Sequence, residues 1–375
     1  MFKFPKNLEI DEIYKKFNIN PVSYGNKLSK SNYFKIKSQR KILFYDHLKI
    51  PLSFIKNKNI LEFGPASGEK SLVYAYYGAK LHLVDSNINF LRLLKSNFKD
   101  YKFSKFISKI ENRHIENFSS KKKYDLVVAE NFLSSTKNRN KNLGTVLDQC
   151  NKNGFVLISN SDEYGYFFDF LKSFILKLYF HKNNITDLEK MVNVSKLFFL
   201  EDFKNSKNTR NFEKFALDQL ILNPGLKQII WPMKEIIKIV SKKNFRFYSS
   251  WPNYANFNKW HKDSIDSKIF NQIVLDAYQK NINQYIFLNK IKQNDIIKKI
   301  KISDIKKLMI IMDKNLNKFN NMRELNKFVK SKRNTLFNSI SEIFKNTTPL
   351  VYKHQKILRQ WGSPNHYLVF SKKND

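Results

Sequence analysis

Three of the nine glycines of this chain, Gly64, Gly68 and Gly78, fall within 15 residues, and the first two bracket the turn Gly64-Pro65-Ala66-Ser67-Gly68. The turn follows the short apolar run Asn59–Phe63, which contains the acidic Glu62. Glycine lets the main chain turn sharply there and lets a ligand approach the backbone. A helix starting just beyond directs its N-terminal dipole at that ligand. A second carboxylate, Asp85, closes the next apolar run, 21 residues after Gly64. At about this spacing a carboxylate meets a ribose hydroxyl in nucleotide-binding βαβ units. A dinucleotide site reads GxGxxG, whereas this turn reads Gly-Pro-Ala-Ser-Gly beside a carboxylate, which suits a cationic ligand better than a pyrophosphate.

Alternating elements must position these groups. Strands are expected at Asn59–Phe63, Lys80–Asp85, 105–110, Tyr124–Ala129 and 155–159. Helices are expected at 35–49, 69–77, 88–98 and 143–151, the last carrying the single cysteine, Cys150, with Gly154 as its stop signal. Strands apolar on both faces that alternate with helices imply a parallel sheet covered on both sides. Beyond residue 161 the pattern turns helical, and the apolar stretch 164–180, interrupted by Asp169, Lys172 and Lys177, reads as an amphipathic helix too broken to span a bilayer. Later come a helix at Met233–Lys242 and strands at 245–249 and 366–371. If these last two pair antiparallel they extend the sheet, and the helical stretch between them is an insertion. The expected organisation is a leader (1–50), a ligand-binding core (51–163), a helical insertion (164–230), a return to the core (231–260), a second helical insertion or cap (261–360) and a last core strand (361–375).

The net charge of +36 comes from 59 Lys and 9 Arg spread along the chain. Bidentate readers of phosphate and bases lean on arginine, so the charge reads chiefly as compositional bias, with an anionic partner as the alternative. One cysteine excludes an internal disulfide framework and a cysteine-based metal site, and with no apolar signal core at the N-terminus the expected compartment is the cytoplasm. No HExxH or clustered His/Asp pattern calls for a metal.

With Glu62 two positions ahead of Gly64, the turn resembles the class I S-adenosylmethionine-dependent methyltransferase family, whose motif is an acidic residue, any residue, then GxGxG. Ala66 replaces the middle glycine. The resemblance implies a Rossmann-like seven-stranded α/β sheet, mostly parallel with the last strand antiparallel, carrying large helical insertions. It implies S-adenosylmethionine as cofactor. Glu62, Gly64, Pro65, Ala66 and Gly68 would surround its methionine part, Asp85 would take the ribose hydroxyls, and Ser86 would flank it. The family's adenine loop falls at His114-Ile115-Glu116, and Glu130 and Asn131 would line the pocket. More loosely, Phe247-Tyr-Ser-Ser-Trp-Pro252 and Arg359-Gln-Trp-Gly-Ser-Pro-Asn-His366 resemble a subgroup with a large helical insertion associated with surface-polysaccharide synthesis.

A hydroxyl acceptor benefits from a general base. The candidates are Glu130 after the fourth strand, Asp162 after the fifth and His261 after the sixth. DNA amino-methyltransferases carry an Asn/Asp-Pro-Pro-aromatic turn where this chain has Glu130-Asn-Phe-Leu, which argues against that class. Trp231, Trp251, Tyr254, Phe257, Trp260 and Trp361 read mainly as core and otherwise as a pocket for a carbohydrate or lipid-linked acceptor. The expected activity is methyl transfer to a small molecule or glycan precursor. The alternatives are an RNA methyltransferase and a non-catalytic binding protein that kept the fold.

Overall fold

The computed structural model describes residues 28–206, 211–254, 266–287, 300–316 and 319–372, together with residues 12, 13 and 16. Its contacts divide into two compact units, one holding residues 24–161, 231–280 and 365–375 and the other 1–23, 162–230 and 281–364.

The first unit is built on a seven-stranded sheet. In chain order its strands are β1 (Asn59–Phe63), β2 (Lys80–Asp85), β3 (Ile107–Asn112), β4 (Tyr124–Ala129), β5 (Cys150–Ser161), β6 (Phe245–Trp251) and β7 (Asn365–Lys372). Their spatial order is β3-β2-β1-β4-β5-β7-β6. β1 to β5 are parallel, and β7 runs antiparallel to both β5 and β6. The central strands are buried on both faces, as a helix-covered parallel sheet requires. One face packs Ile60, Leu81, Leu83, Leu126, Val128, Leu157 and Val369 against residues such as Phe44, Leu72, Leu94 and Phe98. The expected fold, including the antiparallel last strand, is the fold observed.

Three local expectations are corrected. Cys150 opens β5 and is not helical, because the helix ends at Asp148. Leu143, Val146, Leu147 and Cys150 keep helical spacing, so apolar periodicity alone runs the helix on into the strand. Gly154 is not a helix stop. It lies inside β5 at a bulge where Tyr124 pairs with Cys150 but Leu126 pairs with Phe155, and an added Cβ would sit 2.8 Å from Cys150 Sγ. The helix expected at 35–49 instead runs Lys30–Lys41 and passes into a π-helical turn, Ile42–His47.

The second unit is helical in its described residues, with Phe167–Lys182, Leu188–Asn205, Ile302–Asn315, Met322–Lys330 and Thr335–Lys345 its longest elements. Phe167–Lys182 is not amphipathic: thirteen of its residues are buried, Asp169, Lys172 and Lys177 among them. The lysines are tolerated because their amines reach main-chain carbonyls. Lys172 Nζ donates to Leu358 O at 3.1 Å and to Gln360 O, and Lys177 Nζ donates to Asn223 O at 2.8 Å. Among the described residues no helix is long and apolar enough to cross a membrane.

Candidate active site

Strand register brings the sequence candidates to one edge. Phe63 pairs with Val84 of β2 and with Ala129 of β4. Gly64, Asp85 and Glu130 therefore leave the sheet at the same level, at the carboxyl ends of parallel strands, where ligands bind in open α/β folds.

The turn is held in an uncommon conformation, with φ of +66° at Gly64, +49° at Ala66 and +79° at Gly68. Asp85 fastens it. One carboxylate oxygen accepts the Ala66 amide at 3.1 Å and the other accepts the Asn87 amide at 2.8 Å, so the turns after β1 and β2 share one anchor. Asn97 Nδ2 donates to Ser67 O at 2.9 Å. Ser67 Oγ is buried with no hydrogen-bond partner, an orphan that a bound ligand would satisfy.

Beside the turn lies a buried charge cluster. Arg40, from the helix Lys30–Lys41, is 5% exposed and reaches Glu130 with two bonds of 3.0 and 2.7 Å. Lys70 Nζ donates to Glu130 Oε2 at 2.7 Å. Arg40 also donates to the Tyr74 hydroxyl. Glu62 is 3% exposed and accepts from Ser71 Oγ at 2.6 Å.

The two glutamates are driven in opposite directions. Burial pushes Glu62 up to about 7. The Ser71 bond opposes the rise, the charge of Glu130 adds to it, and Arg40 and Lys70 oppose it. Burial alone would also raise Glu130, but Arg40 and Lys70 outweigh it and hold the group at about 2. A carboxylate held that low is a poor proton acceptor. In this arrangement Glu130 is the counter-charge of Arg40 and Lys70.

The signs set a pH dependence. Glu130, depressed from its ordinary 4.5, contributes stability that is fully present above that value and is lost as pH falls toward 2. Glu62, raised, is destabilising once the unfolded chain ionises, so its penalty grows from about pH 4.5 and levels off near 7. That penalty amounts to about 3 kcal/mol. Denaturant unfolding of the unliganded protein should show stability falling between pH 4.5 and 7, with the fall much reduced in Glu62→Gln. Parallel pH profiles for the two proteins would refute the assignment.

Of the other candidates, Pro65 lies within the turn and Ser86 directly follows Asp85. Asn131 (φ +64°) donates its amide to Ser159 Oγ at 2.7 Å. After β3, His114 is exposed, Ile115 is buried in a short 3₁₀ turn, and Glu116 accepts from Asn138 at 3.1 Å. Asp162 directly follows Ser161, the last residue of β5. It belongs to the helical unit, where one carboxylate oxygen accepts the amides of Tyr164 (3.0 Å) and Gly165 (2.7 Å). His261, Phe257 and Trp260 lie outside the described residues. Trp231 and Tyr254 are core side chains, while Trp251 is half-buried at the end of β6. Trp361 belongs to the helical unit, where its indole donates to Asp202 O at 3.1 Å.

Sequence reasoning missed Arg40, Lys70, Ser71 and Tyr74. A signal existed for two of them: Arg40 is one of only nine arginines in a lysine-dominated chain, and Lys70 stands two residues after Gly68.

Residues 37–213 match the family model of a methyltransferase domain. Over this stretch, just under half of its length, the chain is similar to methyltransferase domains. Three solved structures are similar to parts of this chain. Magnesium protoporphyrin IX methyltransferase from Synechocystis PCC 6803, with bound S-adenosylhomocysteine, is 11% identical over 64% of this chain and 86% of its own, with a TM-score of 0.37. PKMT2 from Rickettsia typhi, in complex with the same product, is 17% identical over 66% of this chain, with a TM-score of 0.43; the match spans half of that protein's length. The N-methyltransferase NodS from Bradyrhizobium japonicum WM9, again with S-adenosylhomocysteine, is 13% identical over 40% of this chain and 74% of its own, with a TM-score of 0.31. No curated protein matches the chain.

Proposed function

We propose that this methyltransferase moves a methyl group from S-adenosylmethionine to a small-molecule or glycan-precursor acceptor. The observation that carries the reading is the convergence of Glu62, the Gly64–Gly68 turn and Asp85 at one carboxyl edge of the sheet. Glu62 would meet the cofactor's ammonium group, and the left-handed turn lets the methionine part lie against bare backbone. Asp85, fixed in place by the Ala66 and Asn87 amides, would take the ribose hydroxyls. Ile115 would pack on adenine. Methyl transfer from a sulfonium is an in-line displacement, so the protein's main task is to hold the acceptor in line. Half-buried Trp251 and Tyr367, with rings 6.2 Å apart, offer aromatic faces at the same edge for a small acceptor.

Titration calorimetry with S-adenosylmethionine tests the cofactor. Wild-type protein should bind it, and Asp85→Ala should weaken binding by about tenfold or more, the loss of one charge-assisted contact. No binding by the wild type would overturn the reading. The charge of +36 favours a second reading, RNA as acceptor. Steeply salt-dependent RNA binding with methyl incorporation into RNA would replace the small-molecule acceptor.

A further inference from the structure

We propose that Arg40 is a positioning residue of the cofactor site: reaching in from the Lys30–Lys41 helix, it neutralises Glu130 jointly with Lys70, so that Glu62 is the one carboxylate free to exchange its proton for the cofactor's ammonium group. The inference rests on the cofactor reading above and adds to it a named residue and a proton balance.

The groups facing Glu62 come from four elements. Ser71 bonds it directly, and Lys70 and Tyr74 flank it along the same stretch. Arg40 comes from the N-terminal helix, Glu130 from the end of β4, and Tyr367 of β7 acts on both Arg40 and Lys70. Arg40 grips Glu130 with two bonds and Tyr74 with a third. The guanidinium fork makes this geometry, and a lysine amine cannot reproduce it. Glu130 is thereby committed. Among the described residues Glu62 has one hydroxyl bond and no direct cation. An ammonium arriving at Glu62 favours its ionised form, so a proton leaves as the ligand enters, and affinity rises with pH through about 7.

The charges on either side act on Glu62 with opposite signs, and this gives the test. Binding of S-adenosylhomocysteine, which keeps the ammonium, is measured from pH 5.5 to 8.5 by calorimetry in buffers of different ionisation enthalpy. The wild type should release a fraction of a proton, with a midpoint near 7. Arg40→Met should move the midpoint up and Glu130→Gln should move it down, each by about one unit. The double variant should return it toward the wild type and, having no stranded buried charge, should fold. Arg40→Lys should restore part of the shift. A residue that only supports the fold would weaken binding equally at every pH and leave the midpoint in place, and that result would overturn the proposal. Binding without any proton release would also overturn it while leaving the cofactor reading intact. A wild-type protein that binds neither S-adenosylmethionine nor its product would instead sink that reading.

Discussion

Glu130→Leu is expected to destabilise the sheet unit by about 3–5 kcal/mol, the usual cost of removing one partner of a buried ion pair. The expectation follows from what remains. Arg40 keeps its charge in every accessible pH range and is 5% exposed, and among the described residues its one remaining hydrogen bond without Glu130 is to the Tyr74 hydroxyl, beside the Phe44 and Tyr74 rings. Lys70 is different. Its side chain is 32% exposed, so its amine can turn to water. The cost therefore falls on Arg40, and Arg40→Met in the Glu130→Leu background should recover most of it, because an apolar pair of similar volume needs no desolvated charge. Denaturant unfolding of the two single variants and the double variant forms a cycle, and a coupling of several kcal/mol is expected. A Glu130→Leu variant within about 1 kcal/mol of the wild type, the range of an exposed pair, would show that Arg40 reaches solvent and that the cluster is not sealed.

The same cluster marks where sequence reading ran out. β1, β2 and β4 were legible to the residue because they are short apolar runs bounded by turns, and the glycine turn was legible because glycine is scarce in this chain. Asp85 was legible by spacing, but its tie to the Ala66 amide was not, since that depends on the register of β1 against β2. Arg40 lies 90 residues from Glu130. Its being an arginine sets it apart from the surrounding lysines, but only the docking of its helix gives it a partner. The helix Phe167–Lys182 shows the converse. Its charged residues looked like a polar face, but the lysines satisfy distant carbonyls, and no periodicity reveals a carbonyl acceptor. Cys150 was misplaced for a third reason: a bulge re-phases β5 just where helical spacing would have continued.

Gly64→Ala should be nearly as damaging as the loss of Glu130, and through geometry instead of charge. At φ +66° the added Cβ would lie 2.7 and 2.9 Å from two carbons of the Phe132 ring, closer than such atoms approach. Left-handed strain of about 1–2 kcal/mol and overpacking of about 1–3 kcal/mol add to an expected loss of about 2–5 kcal/mol in denaturant unfolding. Binding of S-adenosylmethionine should fall by more than the loss of stability alone explains, because any relief moves the turn that Asp85 anchors. The neighbouring position supplies the control. Ala66 already holds a side chain at φ +49°, so this turn tolerates alanine where the space exists. Ala66→Gly should therefore change stability by less than about 1 kcal/mol, the scale of glycine's backbone entropy, and should keep binding. Phe132→Leu in the Gly64→Ala background separates the two costs, since it relieves the contact but not the backbone strain. Recovery of roughly half the loss is the expected result. Full recovery would mean that Gly64 is required for space alone, and no recovery would mean that backbone conformation carries the whole requirement.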